Sequence, residues 1–96
     1  MVETQGCHLV EAIYVEGAET KREPFREQHL ERLRKLHKEG ALLLAGPFAD
    51  MSATLLILAV ESEDAAEAIV KSDIYWRQGV WTGYKIRRVN LVPFDE

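Results

Sequence analysis

Two apolar runs in the middle of the chain, Leu42-Leu43-Leu44-Ala45 and Leu55-Leu56-Ile57-Leu58, constrain its fold more than any other feature. They sit in segments 41–48 and 53–60, which are separated by a turn-rich stretch, 46–52. Each run is too short and too sharply bounded for a good helix, so the pair predicts a β-hairpin. A strand with one wet face alternates apolar with polar residues. These two do not, and a sheet built on them is apolar on both faces.

The flanking segments supply the rest of the architecture. Residues 7–15 mix β-branched, aromatic and apolar types and predict a first strand, followed by a polar, turn-like stretch over 17–22. Pro24 suits the first turn of a helix over 25–39, where its missing N–H costs nothing. At roughly 100° per residue, Phe25, His29, Leu33 and Leu36 share an arc of about 80° on that helix, with Leu30 and His37 on its flank. Glu27, Glu31, Arg34, Lys35 and Lys38 take the opposite surface, and Gly40 is placed as its C-cap. Ser62 predicts the N-cap of a second helix that ends near Lys71, with Glu63 and Asp64 in its first turn and Ala65, Ile69 and Val70 turned inward. An aromatic-containing connection over 73–79 then leads to a last strand, 84–92, stopped by Pro93.

The order is β-α-β-β-α-β, an α+β domain over residues 1–96. Two crossover helices cover one face of a four-stranded sheet. The other face measures on the order of 400 Å² from strand spacing and length, as large as the contiguous apolar patches monomers expose. A second copy packed sheet to sheet is the simplest cover, which predicts a homodimer through the sheet face. A C-terminal tail laid over short strands is the alternative.

Composition narrows the partners. Lys and Arg number 12 against 16 Asp and Glu, a formal charge of -4, which argues against nucleic acid as a partner. Cys7 is the only cysteine, so no internal disulfide forms, in keeping with a reducing, cytoplasmic setting. Met1 to Gly6 lack the basic start and apolar run of a signal peptide, and no apolar stretch reaches the roughly 18 residues of a membrane span.

His29 carries the most chemical information, because a titratable ring in the apolar arc of a helix needs a partner. It reads either as a core histidine bonded to backbone or as a general acid or base. Asp73 reads either as a solvated turn aspartate or as the carboxylate that orients such a histidine. Cys7 and His8 point to opposite faces of a strand, and His29 and His37 lie roughly 12 Å apart along a helix. No metal is expected. Tyr75, Trp76 and Trp81 lie near Asp73 and line an aromatic pocket or pack the core. Lys85, Arg87 and Arg88 either meet an anionic ligand or form a solvated strand face.

Four pieces of the chain together resemble the YCII-related (YciI-like) family: Gln28-His29-Leu30-Glu31-Arg32-Leu33; the strand running from Glu39 through Ala45-Gly46-Pro47-Phe48 to Asp50; Glu61-Ser62-Glu63-Asp64-Ala65; and Ser72-Asp73-Ile74-Tyr75 through Gly79-Val80. Singly these are unspecific; in this order and spacing, over most of residues 8–93, they are similar to the family pattern. The resemblance implies a ferredoxin-like, dimeric α/β-barrel fold and a His–Asp site at His29 and Asp73. It also implies that Ala45-Gly46-Pro47 form a wall of the same pocket, and the candidate substrate-binding residues are Gly46, Pro47, Phe48, Tyr75 and Trp76. The family's Asp-Pro step reads Asp73-Ile74 here, which frees the backbone after Asp73 and loosens the carboxylate.

Two functions follow. One is a cofactor-independent enzyme in which His29 and Asp73 move a proton on a small molecule, as a lyase or isomerase. The other is a non-catalytic small-molecule-binding or dimerisation module, because fold alone does not decide. RNA recognition shares the βαββαβ order, but segment 53–60 lacks the aromatics on which bases stack.

Overall fold

The computed structural model describes residues 5–94. Its backbone runs β1 (Gln5–Tyr14), α1 (Ala18–Lys21), a 3₁₀ turn (Glu23–Phe25), α2 (Arg26–Lys38), β2 (Leu42–Pro47), β3 (Ala53–Leu58), α3 (Glu63–Lys71), α4 (Ile74–Arg77) and β4 (Trp81–Leu91). The four strands form one sheet in the order β2-β3-β1-β4, every neighbouring pair antiparallel. This is the ferredoxin-like α+β arrangement that the βαββαβ order predicts.

Cross-strand partners share a face of the sheet, so the register sorts the side chains. Val10 pairs with Leu56 and Ile86, and Ala12 with Thr54 and Tyr84. Val10, Ala12, Leu56 and Leu58 belong to the buried core with Ala66, Val70, Tyr75 and Trp81, so this face lies under the helices. Leu9 pairs with Ile57 and Arg87, and Glu11 with Leu55 and Lys85, on the opposite face. That second face is apolar over β2 and β3, carries Glu11 between Leu9 and Ile13 on β1, and bears Lys85 and Arg87 on β4. Leu44, 53% exposed, stands on it opposite Ile57.

A bulge between Leu42 and Leu44 explains why no alternation is visible in β2. Leu42 pairs with Leu58 and Ala45 with Leu56, both toward the helices, while Leu44 and Gly46 face away. The extra residue breaks the two-residue period, so side chains three apart share a face.

The caps agree with their sequence signals. Gly40 takes φ +86 after the end of α2, and the Gly40 and Ala41 N–H groups donate to the His37 and Leu36 carbonyls, closing a Schellman motif. The Ser62 side chain accepts from the Ala65 N–H at 3.0 Å. On α3 the fully buried side chains are Ala66 and Val70, whereas Ala65 and Ile69 are half-buried.

Three boundaries depart from expectation. The turn-like stretch over 17–22 holds α1, pinned by buried Ala18, and Pro24 lies in the 3₁₀ turn, so the long helix starts at Arg26. The connection over 73–79 contains α4. The last strand begins at Trp81 rather than at 84, because Tyr14 at the end of the ten-residue β1 pairs with Trp81. Among the described residues no helix is long and apolar enough to cross a membrane.

Candidate active site

His29 lies one turn into α2 with its ring turned toward the sheet and is only 5% exposed. Its Nδ1–H donates to the Asp73 carboxylate, 2.8 Å from Oδ1 and 3.0 Å from Oδ2. Tyr75 stacks on the imidazole, with centroids 3.7 Å apart and planes 10° from parallel, and Trp81 meets it edge-on at 5.4 Å. Stacking on one side and an aromatic edge on another fix the ring's rotation.

Asp73 follows α3 directly and serves as the N-cap of α4. Its Oδ1 also accepts from the Tyr75 N–H at 2.9 Å, and its Oδ2 accepts from Arg32 Nη1 at 3.1 Å. Arg32 Nη2 donates to the Ile69 carbonyl at 3.0 Å and to Ser72 Oγ at 2.6 Å. Arg32 thereby ties α2 to the carbonyl end of α3, where a cation is favoured. Ile74 in place of proline leaves Asp73 without a ring restriction. Asp73 holds an extended ψ of 141° with its side chain 1% exposed, and donors from three residues fix it instead of a ring restriction.

With the proton on Nδ1 directed at the carboxylate, Nε2 carries the imidazole lone pair. Among the described residues Nε2 has no hydrogen-bond partner, and it is not sealed from solvent. The ring borders a cavity of about 180 Å³. Gly46 and Pro47 of β2 form one wall, and Tyr14, Thr54 and Tyr75 also border it. Burial pushes the Tyr75 hydroxyl up to about 12, against the opposing pull of Arg22 and then Arg26. It therefore stays protonated, a donor throughout the neutral range.

Two expected pocket residues lie elsewhere. Phe48 is 40% exposed beyond the end of β2, past the reach of the cavity. Trp76 points away from His29 and packs edge-on against Tyr84 at 5.3 Å, because successive residues of α4 face different sides. Lys85 and Arg87 lie on the far face of the sheet, and Arg88 lies across Gly6. The cavity's cations are Arg22 and Arg26, which the sequence reading missed. Their signal was their spacing, seven and three residues before His29 around Pro24. Arg32, three residues after His29 on the same face, carried a similar one. Among the described residues no three His, Cys, Asp or Glu side chains gather as a metal site would need.

A ferredoxin-like sheet whose helix-borne histidine is bonded to the aspartate after the third helix places the chain among small α+β domains with a His–Asp centre. The sequence pattern of the YCII-related domain matches residues 7–90, and the chain belongs to that family. Two relatives are the proteins YciI of Escherichia coli O6:H1 and of Shigella flexneri, each 35% identical over 79% of this chain and 83% of their own. Among solved structures, 5-chloro-2-hydroxyhydroquinone dehydrochlorinase (TftG) of Burkholderia phenoliruptrix AC1100, in complex with 2,5-dihydroxybenzoquinone, shares the fold. The TM-score is 0.75 at 22% identity, covering 88% of this chain and 93% of that one.

Proposed function

We propose that the chain is a cofactor-independent enzyme that moves a proton on a small molecule, with His29 as acid and base and Asp73 as its orienting carboxylate. One observation carries this reading: His29 Nδ1 is committed to Asp73 at 2.8 Å while Nε2 is left unbonded at the wall of the cavity. A merely structural core histidine has no need of a buried carboxylate on one nitrogen and open space at the other.

The chemistry follows from that arrangement. Nε2 takes a proton from an acidic C–H or O–H of the substrate, and Asp73 offsets the positive charge that forms on the ring. The electron pair left on the substrate either expels a leaving group, an elimination, or is reprotonated at another atom by the same imidazolium, an isomerisation. The solved neighbour is named for an elimination on a single ring, a reaction such a pair can perform without further groups. A homodimer is part of the same proposal: the apolar part of the second sheet face, Leu9, Ile13, Leu44 and Leu55, is the surface a second copy would cover.

The test is turnover on a panel of chlorinated hydroquinones, read as chloride release, and of deuterated cyclic enols, read as loss of label. His29→Gln should lower any turnover by about 10²–10⁴-fold. Equal rates in the variant, or no turnover of the panel by the wild type, overturn the reading.

A further inference from the structure

We propose that Arg22 and Arg26 form an anion clamp at the cavity that His29 borders, so that the cavity selects a small, single-ring substrate bearing a carboxylate or an ionised ring oxygen. This rests on the reading of the cavity as the substrate site and adds the class of molecule it takes.

Both arginines border the cavity, Arg22 half-buried beside its wall and Arg26 exposed at its mouth. Arg22 caps the C-terminus of α1 and Arg26 opens α2, on either side of the 3₁₀ turn containing Pro24. The ion pairs among the described residues are His29 and Arg32 with Asp73, Arg34 with Glu27, and Lys71 with Glu67. Neither Arg22 nor Arg26 takes part in one. Arg22 Nε is moreover fully buried and has no hydrogen-bond acceptor, one of only two such side-chain atoms among the described residues. An unmet buried N–H on a charged group is costly, and in native structures such a group goes with strain, a catalytic role or a bound water or ion. In a chain of net charge -4, two cations at one cavity with no ion-pair partner among the described residues favour anions there.

The rest of the wall sets the shape. The 180 Å³ available exceeds the roughly 150 Å³ apolar cavity that accommodates benzene, room for one substituted ring and little more. The hydroxyl of Tyr75, kept protonated, adds a neutral donor beside the arginines. A substrate oxygen seated between Arg22 and Arg26 places negative charge where an enolate or phenolate grows as Nε2 withdraws a proton.

The experiment is titration of the full-length protein with benzoate and with its neutral isostere benzamide, followed by ¹⁵N NMR of the arginine Nε–H groups and by calorimetry. Benzoate should bind, shift the Arg22 Nε–H resonance, and weaken as salt rises. Benzamide should bind at least about tenfold more weakly, and Arg22→Gln and Arg26→Gln should each weaken benzoate by about tenfold or more. Arg22→Lys, which keeps the charge but removes the fork, should fall between wild type and Arg22→Gln. Unchanged thermal unfolding of each variant shows that the loss is at the site. Equal affinities for benzoate and benzamide, no benzoate binding by the wild type, or full affinity in both glutamine variants overturns the clamp. A clamp confirmed in a protein whose His29→Gln variant loses no turnover would sink the acid–base reading alone.

Discussion

Asparagine at position 73 is the most informative single change. The carboxylate is 1% exposed and receives His29 Nδ1–H, Arg32 Nη1 and the Tyr75 N–H. Asparagine keeps one oxygen, which can still cap α4 through the Tyr75 N–H. Its other end is an NH₂ group facing two donors at once. The histidine still donates Nδ1–H to the retained Oδ1, its nearer acceptor, but loses the negative charge that offsets its own when Nε2 takes a proton. Arg32 has no such escape and loses its charged partner. Hydrogen bonds to a charged group contribute roughly 1.5–3 kcal/mol each. The Arg32 side chain is 26% exposed, so water recovers part of its share, and Asp73→Asn should cost about 2–3 kcal/mol in all. Urea unfolding measures that cost, and imidazole ¹⁵N shifts report the tautomer. Turnover should fall by about 10²–10⁴-fold even where the variant is fully folded. If turnover is unchanged and stability drops by less than about 0.5 kcal/mol, Asp73 neither holds His29 nor supports its charge.

Two further outcomes follow from other parts of the structure. Tyr75 is raised to about 12 by burial, whereas an unfolded chain releases its phenol proton near pH 10. Between those values the unfolded state binds fewer protons than the folded one, so stability falls as pH rises. Because Tyr75 borders the cavity, the loss attributable to it should be about 1–2 kcal/mol between pH 10 and 12; identical alkaline slopes in Tyr75→Phe and wild type would refute it. Leu44, exposed on the second sheet face, should hold two copies together. Leu44→Glu should shift sedimentation from dimer to monomer with little change in the His29 NMR signals, and a monomeric wild type would refute the proposed dimer.

Much of this protein was determined by its sequence alone. Element order, sheet class and the cap residues Gly40 and Ser62 are local matters of periodicity and backbone chemistry, and the structure places them as the residues indicate. His29 was conspicuous because a polar ring on an apolar arc demands a partner. The family resemblance named Asp73 as its partner, and what only tertiary structure decided is the contact itself and the presence of Arg32 in it. Asp73 lies 44 residues from His29 and Arg32 lies 41 from Asp73, and no spacing rule reaches across helices that pack only when the sheet is formed. The same holds for the two faces of the sheet. The apolar runs showed that both faces carry hydrophobic side chains. A bulge at Leu43 and pairing with a charged β4 decided which leucines enter the core and which, like Leu44, are left facing outward.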